Sequence, residues 1–210
     1  YDYKNIDLWE IWKELLKAEG VYHSEYHFDV INVGRQVLGN LFADYRDKFT
    51  DCYRKKKLEE TKVWGQRMDQ LLLDVDRLLC CSPVFSIGKW IKDAKDFAVN
   101  EQEQKYYEEN ARCILTVWGQ KDTQLNDYAN RGLTRTFYRE RWKRFTEEVI
   151  AAMTRHKNFD EEKFHQDITQ FEYEWTLKNE DFPITFEENP ISLAKELILK
   201  YDDDFRSLYP

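Results

Sequence analysis

Residues 58–81 read LEETKVWGQRMDQLLLDVDRLLCC, and this stretch decides the fold class. Its apolar side chains recur three or four positions apart, the spacing that places them on one face of an α-helix: Met68, Leu71, Val75 and Leu78. Charged and amide residues occupy most positions between them. The pattern predicts a long amphipathic helix that Ser82-Pro83 interrupts, because the residue before a proline avoids the helical region.

The same spacing continues outward in both directions and predicts seven or eight helices. Asn5 is a candidate cap for the first helix, the second begins near Ser24, and Asn189-Pro190 is a favoured start for the last. The chain has only 7 Gly and 4 Pro in 210 residues, whereas all-β proteins with many tight turns need more of both. We therefore expect an all-α helical bundle that forms a single domain over residues 1–210.

Charge and hydropathy exclude two classes of partner. The net charge is −8, whereas a nucleic-acid-binding domain is usually basic, and the one basic cluster at 54–57 is followed by Glu59-Glu60. A membrane-spanning helix needs about 18 or more apolar residues in a row, and the sequence has no such run. The sequence predicts neither a nucleic-acid partner nor a membrane span.

Cysteine and histidine spacing does not indicate a metal site or a cofactor. Cys52, Cys80, Cys81 and Cys113 show no paired CxxC motif and no neighbouring histidine cluster, so we expect buried free thiols. His23 and His27 can share a helix face, but no third ligand accompanies them. We predict no metal and no cofactor.

Neighbouring carboxylates are frequent but do not form a catalytic pair. Hydrolysis of a glycosidic bond needs two carboxyl groups roughly 5 to 10 Å apart, on either side of the bond. Adjacent helix residues such as Glu108-Glu109 or Glu147-Glu148 project about 100° apart, so we interpret them as solvated faces. No catalytic residue is predicted within this chain.

Trp118 differs from the other aromatic residues in its position. Most of the 7 Trp, 13 Tyr and 13 Phe follow the apolar stripes, where core packing is expected. Trp118 falls where a predicted helix gives way to the polar run 119–124, and Tyr128 follows shortly after. Core packing and stacking on a ligand both fit this pattern.

Several stretches together resemble one known family. They are YEENAR at 107–112, LTVWG at 115–119, LNDYANR at 125–131, RQVL at 35–38 and GKWI at 88–91. In this order and spacing, over nearly the whole chain, they resemble the C-terminal domain of α-N-acetylglucosaminidases of glycoside hydrolase family 89.

The resemblance implies a part of a retaining glycosidase that removes terminal α-linked N-acetylglucosamine from glycans. Its acid/base and nucleophile glutamates would belong to a preceding (β/α)8-type barrel. The helical domain would pack on that barrel, line one side of the sugar pocket and be inactive alone. The family's sugar contacts from this domain fall on Trp118, Leu125 and Tyr128. A surface that packs on a barrel should also carry an exposed apolar and aromatic patch.

Two departures from the family pattern bear on this pocket. The stretch between Trp118 and Tyr128 is one residue longer than in some members, and between Asn130 and Gly132 about three residues are missing, close to one helical turn. We expect the following helix to start at a shifted position.

The source and the setting of the chain follow only from weaker features. The sequence has no N-x-S/T glycosylation motif, which favours a bacterial, exported protein (periplasmic or extracellular) over a lysosomal animal protein. The alternative to an accessory domain is a free-standing helical module that binds carbohydrate or protein.

Overall fold

The computed structural model describes residues 3–18, 23–117, 133–184 and 188–210. These residues form eight α-helices and contain no β-strand, so the predicted all-α bundle of seven or eight helices is confirmed. The helices are α1 (Asn5–Leu15), α2 (Ser24–Arg54), α3 (Leu58–Leu79), α4 (Ile87–Lys95), α5 (Glu101–Leu115), α6 (Arg139–Thr154), α7 (Glu161–Thr176) and α8 (Pro190–Leu208). A 3-10 turn, Pro83–Phe85, precedes α4, and a π-helix, Thr134–Tyr138, precedes α6. In the described part of the chain, no helix is both long and apolar enough to cross a bilayer.

The helices group into two compact units. The first contains residues 1–82 and 186–210, and the second contains residues 83–185. Thus α1, α2, α3 and α8 belong to the first unit, and α4 to α7 belong to the second. The extent of a single domain over residues 1–210 remains a prediction.

The first unit is built on the long pair α2 and α3, against which α1 and α8 pack. The Trp9 ring of α1 stacks on Phe205 of α8 with ring centroids 4.0 Å apart, and both rings are buried. Trp12 is also buried, and its Nε1 donates to the backbone oxygen of Val30 at 2.9 Å. Any larger residue at Gly34 would place its Cβ against the Trp12 ring, so glycine allows α1 to approach α2 closely.

The prediction that Asn5 caps α1 is wrong. Lys4 precedes the helix instead, without a capping side-chain bond. The Asn5 amide is buried and donates to the backbone oxygen of Val37 at 3.1 Å, while its oxygen accepts from Asn40 Nδ2 at 3.0 Å. Because the Asn5 side chain bonds to groups on α2, it does not cap the start of α1.

Side-chain caps define the starts of α4 and α5 in the second unit. Ser86 Oγ accepts from the Lys89 backbone N–H at the start of α4, and Asn100 Oδ1 accepts from Glu103 N–H at 2.9 Å at the start of α5. The Glu103 carboxylate accepts in turn from the N–H of Val99, the residue before the cap, at 3.0 Å, so the two side chains satisfy two backbone donors at the start of α5. The core of this unit is an apolar cluster: Ile87, Ile91, Leu115, Leu133, Phe137 and Trp175.

Candidate functional site

The three predicted sugar-contact residues lie outside the described residues. Trp118, Leu125 and Tyr128 all fall in the segment 118–132, as do Asn130 and Gly132. Their roles and the predicted shift of the following helix remain predictions. The described residues on both sides define the base from which this segment starts.

Both ends of segment 118–132 are fixed in the same core. Leu115, at the last turn of α5, and Leu133, immediately after the segment, belong to one buried cluster with Phe137 and Trp175. Val117, the residue directly before the segment, is only 3% exposed. The residues on both sides of the segment therefore belong to one packed region.

A buried ion pair lies one turn before that base. Arg112 donates from Nε and Nη2 to Glu108 Oε1 at 3.0 and 2.8 Å, and Lys95 Nζ donates to Glu108 Oε2 at 3.1 Å. The Glu108 and Arg112 side chains are 1% and 0% exposed. Our interpretation of Glu108 as part of a solvated face is wrong, because this carboxylate is desolvated and satisfied by two cations.

The ion pair connects α5 with the other parts of its unit. The Arg112 guanidinium lies 4.6 Å from the centre of the Trp175 ring and 5.1 Å from that of Phe182. The Glu180 backbone N–H donates to Glu108 Oε1 at 3.1 Å. These contacts hold the end of α5 against α7 and the segment that follows it, and a fully buried cluster of this kind positions neighbours rather than meeting a substrate.

A π-helix, which the sequence did not predict, follows segment 118–132. It spans Thr134–Tyr138, and Thr136 Oγ1 accepts from Trp175 Nε1 at 3.2 Å. π-Helical turns are rare and occur frequently at functional sites. This π-helix begins two residues after segment 118–132, and its Phe137 belongs to the buried core.

An exposed apolar groove runs between α4 and α5. Trp90, Phe97 and Ile114 are 44%, 80% and 44% exposed. The groove encloses about 460 Å³ and is lined by Trp90, Asp93, Ala94, Phe97, Tyr107, Asn110, Ala111 and Ile114. Of the apolar residues of α4, Ile87 and Ile91 belong to the buried core, whereas Trp90 lines the groove.

Free thiols occur at all four cysteines, as predicted. Cys52 and Cys113 are buried, whereas Cys80 and Cys81 are partly exposed. The expectation of burial therefore holds for two of the four.

Sequence comparison links the chain to one family. Residues 1–200 match the family model described as the alpha-N-acetylglucosaminidase (NAGLU) C-terminal domain. The human protein alpha-N-acetylglucosaminidase is 29% identical over 205 residues, which are 95% of this chain and 28% of the human protein. The chain therefore spans little more than a quarter of that relative's length.

Solved structures of a family 89 glycoside hydrolase from Clostridium perfringens share the fold. One, in complex with 2-acetamido-1,2-dideoxynojirmycin, superposes with a TM-score of 0.84 at 24% identity and covers 94% of this chain and 24% of that chain. Another, a variant in complex with its substrate GlcNAc-alpha-1,4-galactose, gives a TM-score of 0.85 at 23% identity over 96% of this chain and 25% of that chain. Since the family model matches nearly the whole sequence, this chain belongs to the C-terminal domain family of α-N-acetylglucosaminidases.

Proposed function

We propose that this chain is the accessory helical domain of a retaining glycosidase that hydrolyses terminal α-linked N-acetylglucosamine from glycans. In this proposal it packs on the catalytic barrel of the same polypeptide and lines one side of the sugar pocket. The acid/base and nucleophile glutamates then belong to the barrel, outside this chain. Membership of the family supports the proposal, as does the substrate complex of the Clostridium protein.

One observation carries the pocket assignment. The segment that contains Trp118, Leu125 and Tyr128 is rooted at both ends in a single buried core, next to the Glu108–Arg112 pair. Recognition of a sugar is favoured when the contact groups are carried on a rigid support, and packed residues flank this segment on both sides. The base is therefore suited to present this segment to a ligand.

The residue types in the segment suit a sugar. The indole of Trp118 offers an apolar face for stacking on the C–H groups of a pyranose, and Leu125 adds apolar contact. The phenol of Tyr128 can donate or accept a hydrogen bond with a hydroxyl or acetamido group. We extend the proposal to the setting of the enzyme, which is exported if the source is bacterial and lysosomal if the source is an animal.

Replacing Trp118 with alanine in the complete enzyme tests the pocket assignment. Loss of a stacking contact of roughly 1 to 3 kcal/mol should lower kcat/KM by about 5- to 150-fold, with little change in thermal stability. Tyr106→Ala is the matched control, because Tyr106 is an exposed aromatic residue on α5 that lies outside the segment. If Trp118→Ala unfolds the protein while its folded fraction keeps normal kcat/KM, Trp118 is a core residue and the assignment fails.

A further inference from the structure

The groove between α4 and α5 is an apolar surface feature of the second unit that the proposed function does not explain. Trp90 and Phe97 line it from the α4 side and Ile114 from α5, with exposures of 44%, 80% and 44%. Neighbouring exposed aromatic and aliphatic side chains that form one concave surface are typical of interaction sites, unlike apolar residues scattered singly. This groove is therefore a candidate binding surface.

The chemistry of the groove fits an apolar occupant. The one polar atom of the Trp90 ring, Nε1, already donates to the backbone oxygen of Ala111 at 3.0 Å. Covering the outward ring face would therefore leave no indole N–H unsatisfied. Asp93 and Asn110 are the polar lining residues, and Asp93 is paired with Lys89, so an apolar centre is bordered by polar groups as in protein interfaces.

The size of the groove favours a tethered occupant over a second copy of the chain. Eight residues line it, whereas a stable interface between separate proteins uses about 20 to 30 residues on each side. A partner on the same polypeptide has an effective concentration on the order of millimolar, so a small apolar contact is sufficient to hold it.

The comparisons identify a source for such a partner. This chain corresponds to 28% of the human relative and 24% of the Clostridium protein, so most of each relative lies outside the matched part. The groove also has Ile114 on its rim, only four positions before residue 118 in the sequence. An occupant here would lie next to the start of the predicted sugar-contact segment.

We propose that the α4–α5 groove is the docking surface for the remaining part of the same polypeptide, which seats apolar side chains between Trp90, Phe97 and Ile114. This inference rests on the proposed function, because it takes the chain to be an accessory domain. It adds the surface through which the domain is held.

Hydroxyl-radical footprinting of the complete polypeptide and of the 210-residue chain tests the docking surface. We expect Trp90 and Phe97 to lose most of their labelling in the complete polypeptide relative to the chain alone. Leu199, an apolar residue of α8 that is 81% exposed, serves as the internal reference for side-chain labelling. Equal labelling of Trp90 and Phe97 in the two samples overturns the proposal.

A pair of matched variants completes the test. In the complete polypeptide, Phe97→Asp should restore the labelling of Trp90, whereas Leu199→Asp should not, because Phe97 and Leu199 are similarly exposed but only Phe97 lines the groove. Unchanged helical circular dichroism of the chain carrying Phe97→Asp confirms that the variant folds. Protection of Trp90 that remains in the Phe97→Asp variant contradicts the proposal.

Two further outcomes separate this inference from neighbouring ones. If Trp90 is protected in the chain alone at high concentration and becomes labelled on dilution, a second copy occupies the groove and the docking proposal is wrong. If Trp118→Ala lowers kcat/KM while the groove stays fully labelled, the sugar-contact proposal survives and only the docking surface fails. If the groove is protected but Trp118→Ala keeps a normal kcat/KM, the docking surface survives and the sugar-contact proposal fails.

Discussion

Arg112 is the residue on which the buried polar contacts of the second unit converge. It satisfies Glu108 with two nitrogen atoms and lies against the Trp175 and Phe182 rings. We predict that Arg112→Met lowers the free energy of unfolding by about 3 to 5 kcal/mol, because it leaves a buried carboxylate with one cation fewer. Urea unfolding followed by circular dichroism measures this loss.

An exposed pair with the same spacing provides the control. Lys163 and Asp167 of α7 are also four residues apart, but their side chains are 64% and 59% exposed. Asp167→Asn should therefore leave stability nearly unchanged. Similar losses for Arg112→Met and Asp167→Asn would show that burial of the Glu108–Arg112 pair contributes nothing.

Sequence reasoning could not distinguish these two pairs. Glu108 and Arg112 have the spacing of a surface ion pair, and Glu108 is followed by another glutamate. What buries them is the approach of Trp175 and Phe182, more than 60 positions further along the chain. Contacts with residues so far along the chain do not alter the local spacing of apolar residues, so this spacing could not predict the burial.

At the scale of elements, α8 is joined to α2 and α3 by bonds between phenols and carboxylates. Tyr45 donates to Asp204 Oδ2 at 2.5 Å, and Tyr201 donates to Asp74. Burial, and then the hydrogen bond to Asp74, raise the pKa of Tyr201 well above its ordinary value of about 10. The folded protein therefore holds this phenol proton more tightly than the unfolded chain does.

This raised pKa predicts loss of stability in alkali. Below about pH 10 the phenol is neutral in both states, and stability is intact; above it only the unfolded chain ionises. Tyr201 should then contribute a loss of about 1.4 kcal/mol in unfolding free energy for each further pH unit. Urea unfolding between about pH 8 and pH 11 should show a shallower decline for Tyr201→Phe than for the unaltered chain.

The comparison needs a phenol that is not buried. Tyr106→Phe is the control variant for loss of a phenol, because Tyr106 of α5 is 63% exposed. Identical slopes for the unaltered chain and Tyr201→Phe above pH 10 would refute the linkage between Tyr201 and folding.

The starts of α2 and α8 were predicted correctly, whereas the predicted cap of α1 was wrong. Ser24 begins α2, and Asn189 Oδ1 accepts from Ile191 N–H and Ser192 N–H at the start of α8, just before Pro190. Helix faces were less predictable. The apolar stripe of α4 is real, but the core covers only the edge that carries Ile87 and Ile91, so the other edge forms the exposed groove.

At the scale of the whole molecule, the spacing of apolar residues predicted the fold class, because the apolar face of an amphipathic helix can be recognised from local sequence. The division into two compact units was not predicted, although the Ser82-Pro83 interruption predicted at the end of α3 coincides with one of its boundaries. The candidate site was predicted from the family resemblance alone, since spacing could not decide between stacking and core packing at Trp118.

The isolated chain is predicted not to cleave α-N-acetylglucosaminides. Among the described residues, many acids lie on exposed helix faces, and Glu108 is buried in an ion pair. A glycosidase needs two carboxyl groups across the bond, which the proposal assigns to the barrel. An assay of the purified chain with an aryl α-N-acetylglucosaminide should show no turnover above background. Turnover that disappears when one of the chain's own acids is changed would contradict this prediction.

A crystal structure of the complete polypeptide with bound N-acetylglucosamine tests the central claim most directly. We predict that residues of segment 118–132, above all Trp118 and Tyr128, contact the sugar from one side while the barrel carboxylates contact it from the other. The groove between α4 and α5 should then be filled by side chains of the preceding part of the polypeptide. A sugar held entirely by the barrel, with segment 118–132 away from it and the groove open to solvent, would contradict the account.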